Sequence, residues 1–201
     1  MSAVARPDPF HPGEYQIRSL YFDNAYDKAL QEKQNGHQNR EKFRIRYYDG
    51  DTDFIRLEKK SKFNRLCGKQ QARVTKEQVG RLLAGETEWL LETGNPLHAE
   101  LYAKMQSQLL RPRVIVDYKR RAFVYPPGNV RITLDYDVRS CLNKTAMFER
   151  NLPDVPADFT NPIILEVKWD EYLPAVIEQA VQLGSRQTSS FSKYAACRIY
   201  G

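Results

Sequence analysis

Lys42, Arg44 and Arg46 stand two residues apart, so an extended backbone would place all three cations on one side. Neighbours at that spacing lie about 6–7 Å apart, close enough for one anionic chain to be gripped at successive phosphates. The same chemistry recurs along the sequence. Arg56, Glu58 and Lys60 alternate with Ile55 and Leu57, and Lys69 and Arg73 share a face. Arg131, Thr133 and Asp135 alternate with Val130, Ile132 and Leu134, and Glu166 and Lys168 alternate with Leu165, Val167 and Trp169. Each segment has one apolar face and one face rich in Lys and Arg. A single such strand is ordinarily the solvated side of an antiparallel sheet. Repetition with cations in excess changes the balance. The charged faces look either at bulk water or at one another across a barrel, and a lumen of like charges repels itself unless a polyanion enters. An anionic ligand accounts best for the pattern.

Periodicity and turn residues indicate the elements that must hold these side chains. Residues 1–14, with Pro7, Pro12 and Gly13, read as a flexible arm, and residues 15–201 as a single domain. A strand is predicted over 15–23, then a short helix over about 25–33, capped by Asp23 or Asn24 and ended by Asn35-Gly36. Strands over 42–48 and 54–60 form a hairpin across Asp49-Gly50, with a further strand over 68–75. Thr75 with Gln78 has capping-box spacing and opens a helix whose apolar face is Val79, Leu82, Leu83 and Leu90. A second helix over 96–110 carries Leu97, Leu101, Met105 and Leu109. The second half predicts strands over 113–125, 129–138 and 163–169, an irregular stretch over 141–162, a helix over 174–183 and a last short helix over 191–197 capped by Ser189 or Ser190.

Composition narrows the classes. The chain has 201 residues, a formal charge of +6 and a pI near 9.2, which favours polyanionic partners without choosing among them. Cys67, Cys141 and Cys197 form no CxxC pair, so reduced thiols in a cytoplasmic setting are expected. His11, His37 and His98 fit no HExxH pattern, and P-loop, RNP-like and helix-turn-helix signatures are missing, so no specific nucleic acid is expected. No apolar run is long enough to span a membrane.

Taken in order, Ile17-Arg-Ser-Leu-Tyr-Phe-Asp23, Phe43-Arg-Ile-Arg46, Leu57-Glu-Lys-Lys60, Arg111-Pro-Arg-Val, Arg131-Ile-Thr-Leu-Asp135, Leu165-Glu-Val-Lys168 and Phe191-Ser-Lys-Tyr194 resemble the VTC domain. This is the polymerase domain of the vacuolar transporter chaperone, within the CYTH-like triphosphate tunnel metalloenzyme superfamily. Each motif alone is weak, and the ordered set, spanning the chain from about Tyr15, is specific. The resemblance implies an α+β fold, an antiparallel eight-stranded β-barrel tunnel with flanking helices. It implies transfer of the γ-phosphoryl of ATP to a polyphosphate or pyrophosphate acceptor, assisted by Mn²⁺ or Mg²⁺. Arg44, Arg46, Lys60, Arg120, Arg131, Lys168 and Lys193 would carry the reaction. Arg18, Lys42, Glu58, Lys69 and Arg73 would assist phosphate binding, although Arg18, Lys42 and Arg56 also suit plain surface or ion-pair roles. Of Lys119, Arg120 and Arg121, only Arg120 would face inward. Glu166 matches the metal-binding glutamate. Gln71 stands where a further basic residue is common in such domains. Members also open with a strand carrying Glu and Lys ahead of the Arg18–Asp23 segment, and this chain starts after it, so one wall of the tunnel is expected to be missing or to be completed by another segment. A triphosphatase of the same fold and a non-catalytic polyphosphate- or nucleotide-binding module are the alternatives, and a membrane partner is left open.

Overall fold

The computed structural model describes residues 3–64, 66–184 and 188–199. Nine strands form one antiparallel sheet: β1 (Arg6–Pro7), β2 (Glu14–Asp23), β3 (Arg40–Tyr48), β4 (Asp51–Phe63), β5 (Leu66–Val74), β6 (Arg111–Tyr125), β7 (Val130–Cys141), β8 (Val155–Pro156) and β9 (Ile164–Lys168). The order is β5-β4-β3-β2-β6-β7-β8, with β1 on β6 and β9 on β7. The expected closed eight-stranded tunnel is therefore corrected to an open sheet. Among the described residues β5 bonds only to β4 and β9 only to β7.

Alternation decides which face is which. Leu20, Phe22, Phe43, Ile45, Ile55, Leu57 and Ile115 point to the outer face and are almost fully buried. Three helices cover them: α2 (Lys76–Leu83), α3 (Trp89–Glu92) and α4 (Pro96–Ser107). Thr75 caps α2 through the expected capping box, its hydroxyl accepting from Gln78 N while the Gln78 side chain accepts from Thr75 N. Thr75→Ala should lower stability by about 1 kcal/mol, measurable by urea denaturation, with the outer core otherwise unchanged. Leu90 belongs to α3 rather than α2. Leu109 is not part of the α4 stripe: the helix ends at Ser107, Leu109 takes a positive φ of 55° and is exposed, and Leu110 is buried in its place. At the other end of the sheet, α5 (Ala175–Val181) covers Val130 and Ile132 through Ile177.

The β6–β7 turn needs its glycine. Gly128 has φ +74°, and a Cβ there would lie 2.4 Å from the Tyr172 carbonyl oxygen. The inner face is split. Ile17, Val114, Val116 and Tyr118 form an apolar floor beneath α6 (Lys193–Cys197), whose Tyr194 stacks on Tyr21. The rest of that face is the charged one. α6 is capped by Ser192, not Ser189 or Ser190. Both expected caps act at α1 (Lys28–Gln34): the Asp23 carboxylate accepts from Ala29 and Leu30, and Asn24 accepts from Lys28. Within the stretch expected as a loose arm, Arg6 and Pro7 join the sheet. β1 pairs with β6, Ala5 and Asp8 are buried, and His11 stacks on Tyr15.

Candidate functional site

The inner faces of β2, β3, β4, β5, β6, β7 and β9 curl round one cavity of about 750 Å³. Lys42, Arg44 and Arg46 enter it from β3, Arg56, Glu58 and Lys60 from β4, and Lys69 from β5. Arg120, Arg131 and Lys168 face them from β6, β7 and β9. Alternation alone brings these side chains together, because register pairs Arg44 with Glu58, Arg46 with Arg56 and Lys60 with Lys69. Arg56 lines the cavity, so its surface assignment is corrected.

The carboxylates of this face are mostly engaged. Glu58 is almost wholly buried, with one oxygen accepting from Arg44 Nε at 2.7 Å. Its other oxygen lies 2.6 Å from Lys69 Nζ, in charge contact without hydrogen-bond alignment. Burial alone would raise the Glu58 carboxyl, but Arg44, Arg46 and Lys69 hold it down at about 2. Asp135 is fully buried and gives both oxygens to Arg120, at 2.5 and 2.7 Å, while Lys193 Nζ approaches from α6 at 2.6 Å. These cations outweigh its burial and lower its pKa. Asp8 pairs with Arg131 at 2.8 Å.

Four cavity cations, Lys42, Arg46, Arg56 and Lys60, have no carboxylate partner among the described residues. Arg46 is only 6% exposed, yet it is held by hydroxyls alone: Nε donates to Ser19 Oγ at 2.9 Å and Nη2 to Tyr118 Oη at 3.2 Å. A buried guanidinium with no carboxylate in direct contact is costly, and an incoming anion relieves that cost. Lys42 is pushed down by burial and by Arg44, Lys60 and Lys33, against an opposing pull from Tyr21.

Tyr21 lies against the neighbouring cations Lys42 and Arg44. Its hydroxyl accepts from Arg44 Nη1 at 3.0 Å. Burial would raise the phenol, but Arg44, Lys42 and Arg46 override it and bring it to about 7. An ultraviolet pH titration should therefore show one tyrosine ionising about three units below the ordinary value near 10. Tyr21→Phe should remove that step, and adding inorganic polyphosphate should move it upward. A wild-type chain with no tyrosinate below pH 9 would contradict the assignment.

Several expected site residues lie elsewhere. Arg18 projects from the opposite face of β2, donating to Asp117 at 2.7 Å and to the Met147 and Glu149 carbonyls, so it is a structural ion pair rather than a phosphate ligand. Burial nevertheless raises the Asp117 carboxyl, against Gln16 and Arg18. Arg73 shares the inward phase of Lys69 but lies outside the cavity lining: it donates to the Asp53 carbonyl and covers the Phe54 ring. Lys193 meets the cavity through Asp135. Lys119 and Arg121 point outward, as expected. The residues not anticipated are Ser19, Tyr21 and Tyr118, which hold the arginines. Their inward phase on β2 and β6 was present in the sequence, but hydroxyls on a strand carry no charge signal of their own.

Glu166 sits opposite Thr133 in the inward phase of β9 but outside the cavity lining, with Lys168 Nζ 3.4 Å from its carboxylate. Among the described residues no group of three or more His, Cys, Asp or Glu converges as a protein-only metal site. A hard cation carried by phosphate needs only one or two protein carboxylates. Glu166 suits that role because it is 42% exposed and not locked by a guanidinium, while the neighbouring Thr133 Oγ1 is buried without a partner. No helix among the described residues is long and apolar enough to cross a membrane.

With that geometry in place, the sequence was compared with known proteins. The family model described as VTC domain matches residues 3–199. No curated protein matches the chain.

Proposed function

The chain belongs to the VTC domain family, which is associated with polyphosphate polymerase, and on that premise we propose that it transfers the terminal phosphoryl group of ATP to a polyphosphate or pyrophosphate acceptor held in the basic trough. One observation carries this reading: a buried Arg46 with no carboxylate in ion-pair contact among the described residues stands among inward cations from six strands. The chemistry is positioning and charge neutralisation. Arg44 and Arg46 bind and orient the phosphates along β3, with Lys60 and Lys69 supporting them from β4 and β5. Arg120, held straight by Asp135, and Arg131 and Lys168 neutralise charge from the opposite wall. Glu166 would hold a divalent cation, Mn²⁺ or Mg²⁺, which when bound would supply Lewis-acid charge neutralisation. Three free cysteines support a cytoplasmic setting within this proposal.

The test is incubation with ATP and Mn²⁺, with and without a pyrophosphate primer, resolving products by gel and nucleotide analysis. Polyphosphate plus ADP is expected. The open side between β5 and β9 favours a second reading, because water reaches a trough more readily than a closed tunnel. ADP plus orthophosphate alone would select that triphosphatase. Tight binding without turnover would select a binding module, and failure to bind any polyphosphate would end all three.

A further inference from the structure

The cavity is not uniformly ionic. At one end its lining turns aromatic, with Phe10 and His11 from the loop after β1 and Tyr48 and Phe54 from the β3–β4 hairpin. One of these rings is bare: Phe10 is 87% exposed, whereas Phe54, at 41%, carries the Arg56 guanidinium 4.3 Å from its ring centroid.

The loop that presents Phe10 is not a frayed end. Asp8 is buried, pairs with Arg131 at 2.8 Å and accepts from Phe10 N at 3.0 Å. His11 stacks on Tyr15 with ring centroids 4.2 Å apart and lies beside Tyr48 at 5.7 Å. The backbone is anchored while the Phe10 ring is left open.

The aromatic end is in line with the cations. Tyr48, Arg46 and Arg44 succeed one another on the inner side of β3, about 7 Å per step. Phe54 and Arg56 repeat the order on β4. A ligand matching both features has a flat π-face at one end and a run of phosphates at the other. We propose that this rim is a nucleobase subsite: the base of a nucleoside triphosphate stacks on Phe10 beside the Tyr48–Phe54 hairpin, and its phosphates run inward over Arg46 and Arg44. The inference rests on the phosphate-binding reading above and adds where the base is seated. Stacking reads a π-face rather than a hydrogen-bond pattern, so purine triphosphates are favoured over pyrimidine ones without strict selection between adenine and guanine.

The test compares ATP with inorganic tripolyphosphate by calorimetric titration of the full chain in one Mg²⁺ buffer. Phe10 makes no cation contact and is exposed, so Phe10→Ala keeps the fold. That variant should bind ATP about tenfold more weakly, the scale of one base–aromatic stack. Its affinity for tripolyphosphate should be unchanged, and Phe10→Trp should restore ATP binding. Unchanged ATP affinity in Phe10→Ala, or equal weakening of both ligands, would overturn the subsite while leaving the phosphate trough intact. A wild-type chain that binds neither ligand would overturn the phosphate-binding reading and this inference with it.

Discussion

Glu58→Gln should unfold about 10 °C below the wild type at neutral pH and low salt, and inorganic tripolyphosphate should raise the variant's transition more than the wild type's. Glu58 is nearly inaccessible and sits between Arg44 and Lys69, with Arg46 close enough to depress its pKa. Removing one partner of such a buried pair costs about 3–5 kcal/mol, because the remaining charge stays buried. In a domain of this size each kcal/mol shifts the transition by about 2–4 °C. A polyanion supplies the missing negative charge and stabilises the state that binds it. The acid limb should change too. The folded pKa of about 2 lies below the unfolded value, so the Glu58 contribution is complete above the ordinary carboxylate range near 4.3 and is lost as pH falls toward 2. The variant should lack that limb. A transition within 2 °C of wild type, or equal polyphosphate stabilisation of both proteins, would show that Glu58 is not the internal counter-charge of the trough.

Much of this arrangement was legible because a strand has a period of two. The alternation of Lys42, Arg44 and Arg46 with Phe43, Ile45 and Tyr47 fixes which side is buried, and the structure buries Phe43, Ile45 and Tyr47. The same holds for Ile55 and Leu57 on β4 and for Val130 and Ile132 on β7, although Thr133 and Asp135 on the polar side of β7 are buried as well. The capping box at Thr75 was equally local, two side chains three residues apart. What was not legible is long-range. Whether the sheet closes depends on how far seven strands curl and on what pairs with β5 and β9, and no local pattern encodes that. The N-terminal stretch misled for a related reason. Pro7, Pro12 and Gly13 do mark irregular backbone, but Asp8 is fixed by Arg131, more than a hundred residues away.

Arg18 shows the limit of assigning a role by motif. It is flanked by Ile17 and Ser19, and both flanking residues face inward. Arg18 must therefore face the other way, toward Asp117 and the Met147 carbonyl. The phase of Tyr15, Ile17, Ser19 and Tyr21 on β2 already contained this, but a motif match weighs the residue type and ignores its side of the strand. Lys42 and Arg56 are the converse. As single residues they suited a surface role, and only the curl of the sheet turns them inward together.

Glu166→Gln should lower metal-dependent turnover by on the order of a hundredfold or more, with polyphosphate binding in the absence of divalent ions unchanged or slightly tighter. Three acidic side chains near the cavity are already committed to cations. Asp135 is bound by Arg120 and Lys193, Glu58 by Arg44 and Lys69, and Asp8 by Arg131. Each of these carboxylates is held by cations, and recruiting it would strand a positive charge. Among the described residues Glu166 pairs only with Lys168, at 3.4 Å and largely exposed to solvent, so that pair contributes little and is easily released. The amide keeps the size and removes the charge, which separates the role in metal binding from any role in packing. Removing one negative charge from a basic trough favours an incoming polyanion, hence the unchanged or tighter binding without metal. The measurement pairs turnover at graded Mn²⁺ with metal-free polyphosphate titration. Full turnover in the variant would transfer the metal role to another carboxylate, and a parallel loss of metal-free binding would make Glu166 a structural residue of β9 instead.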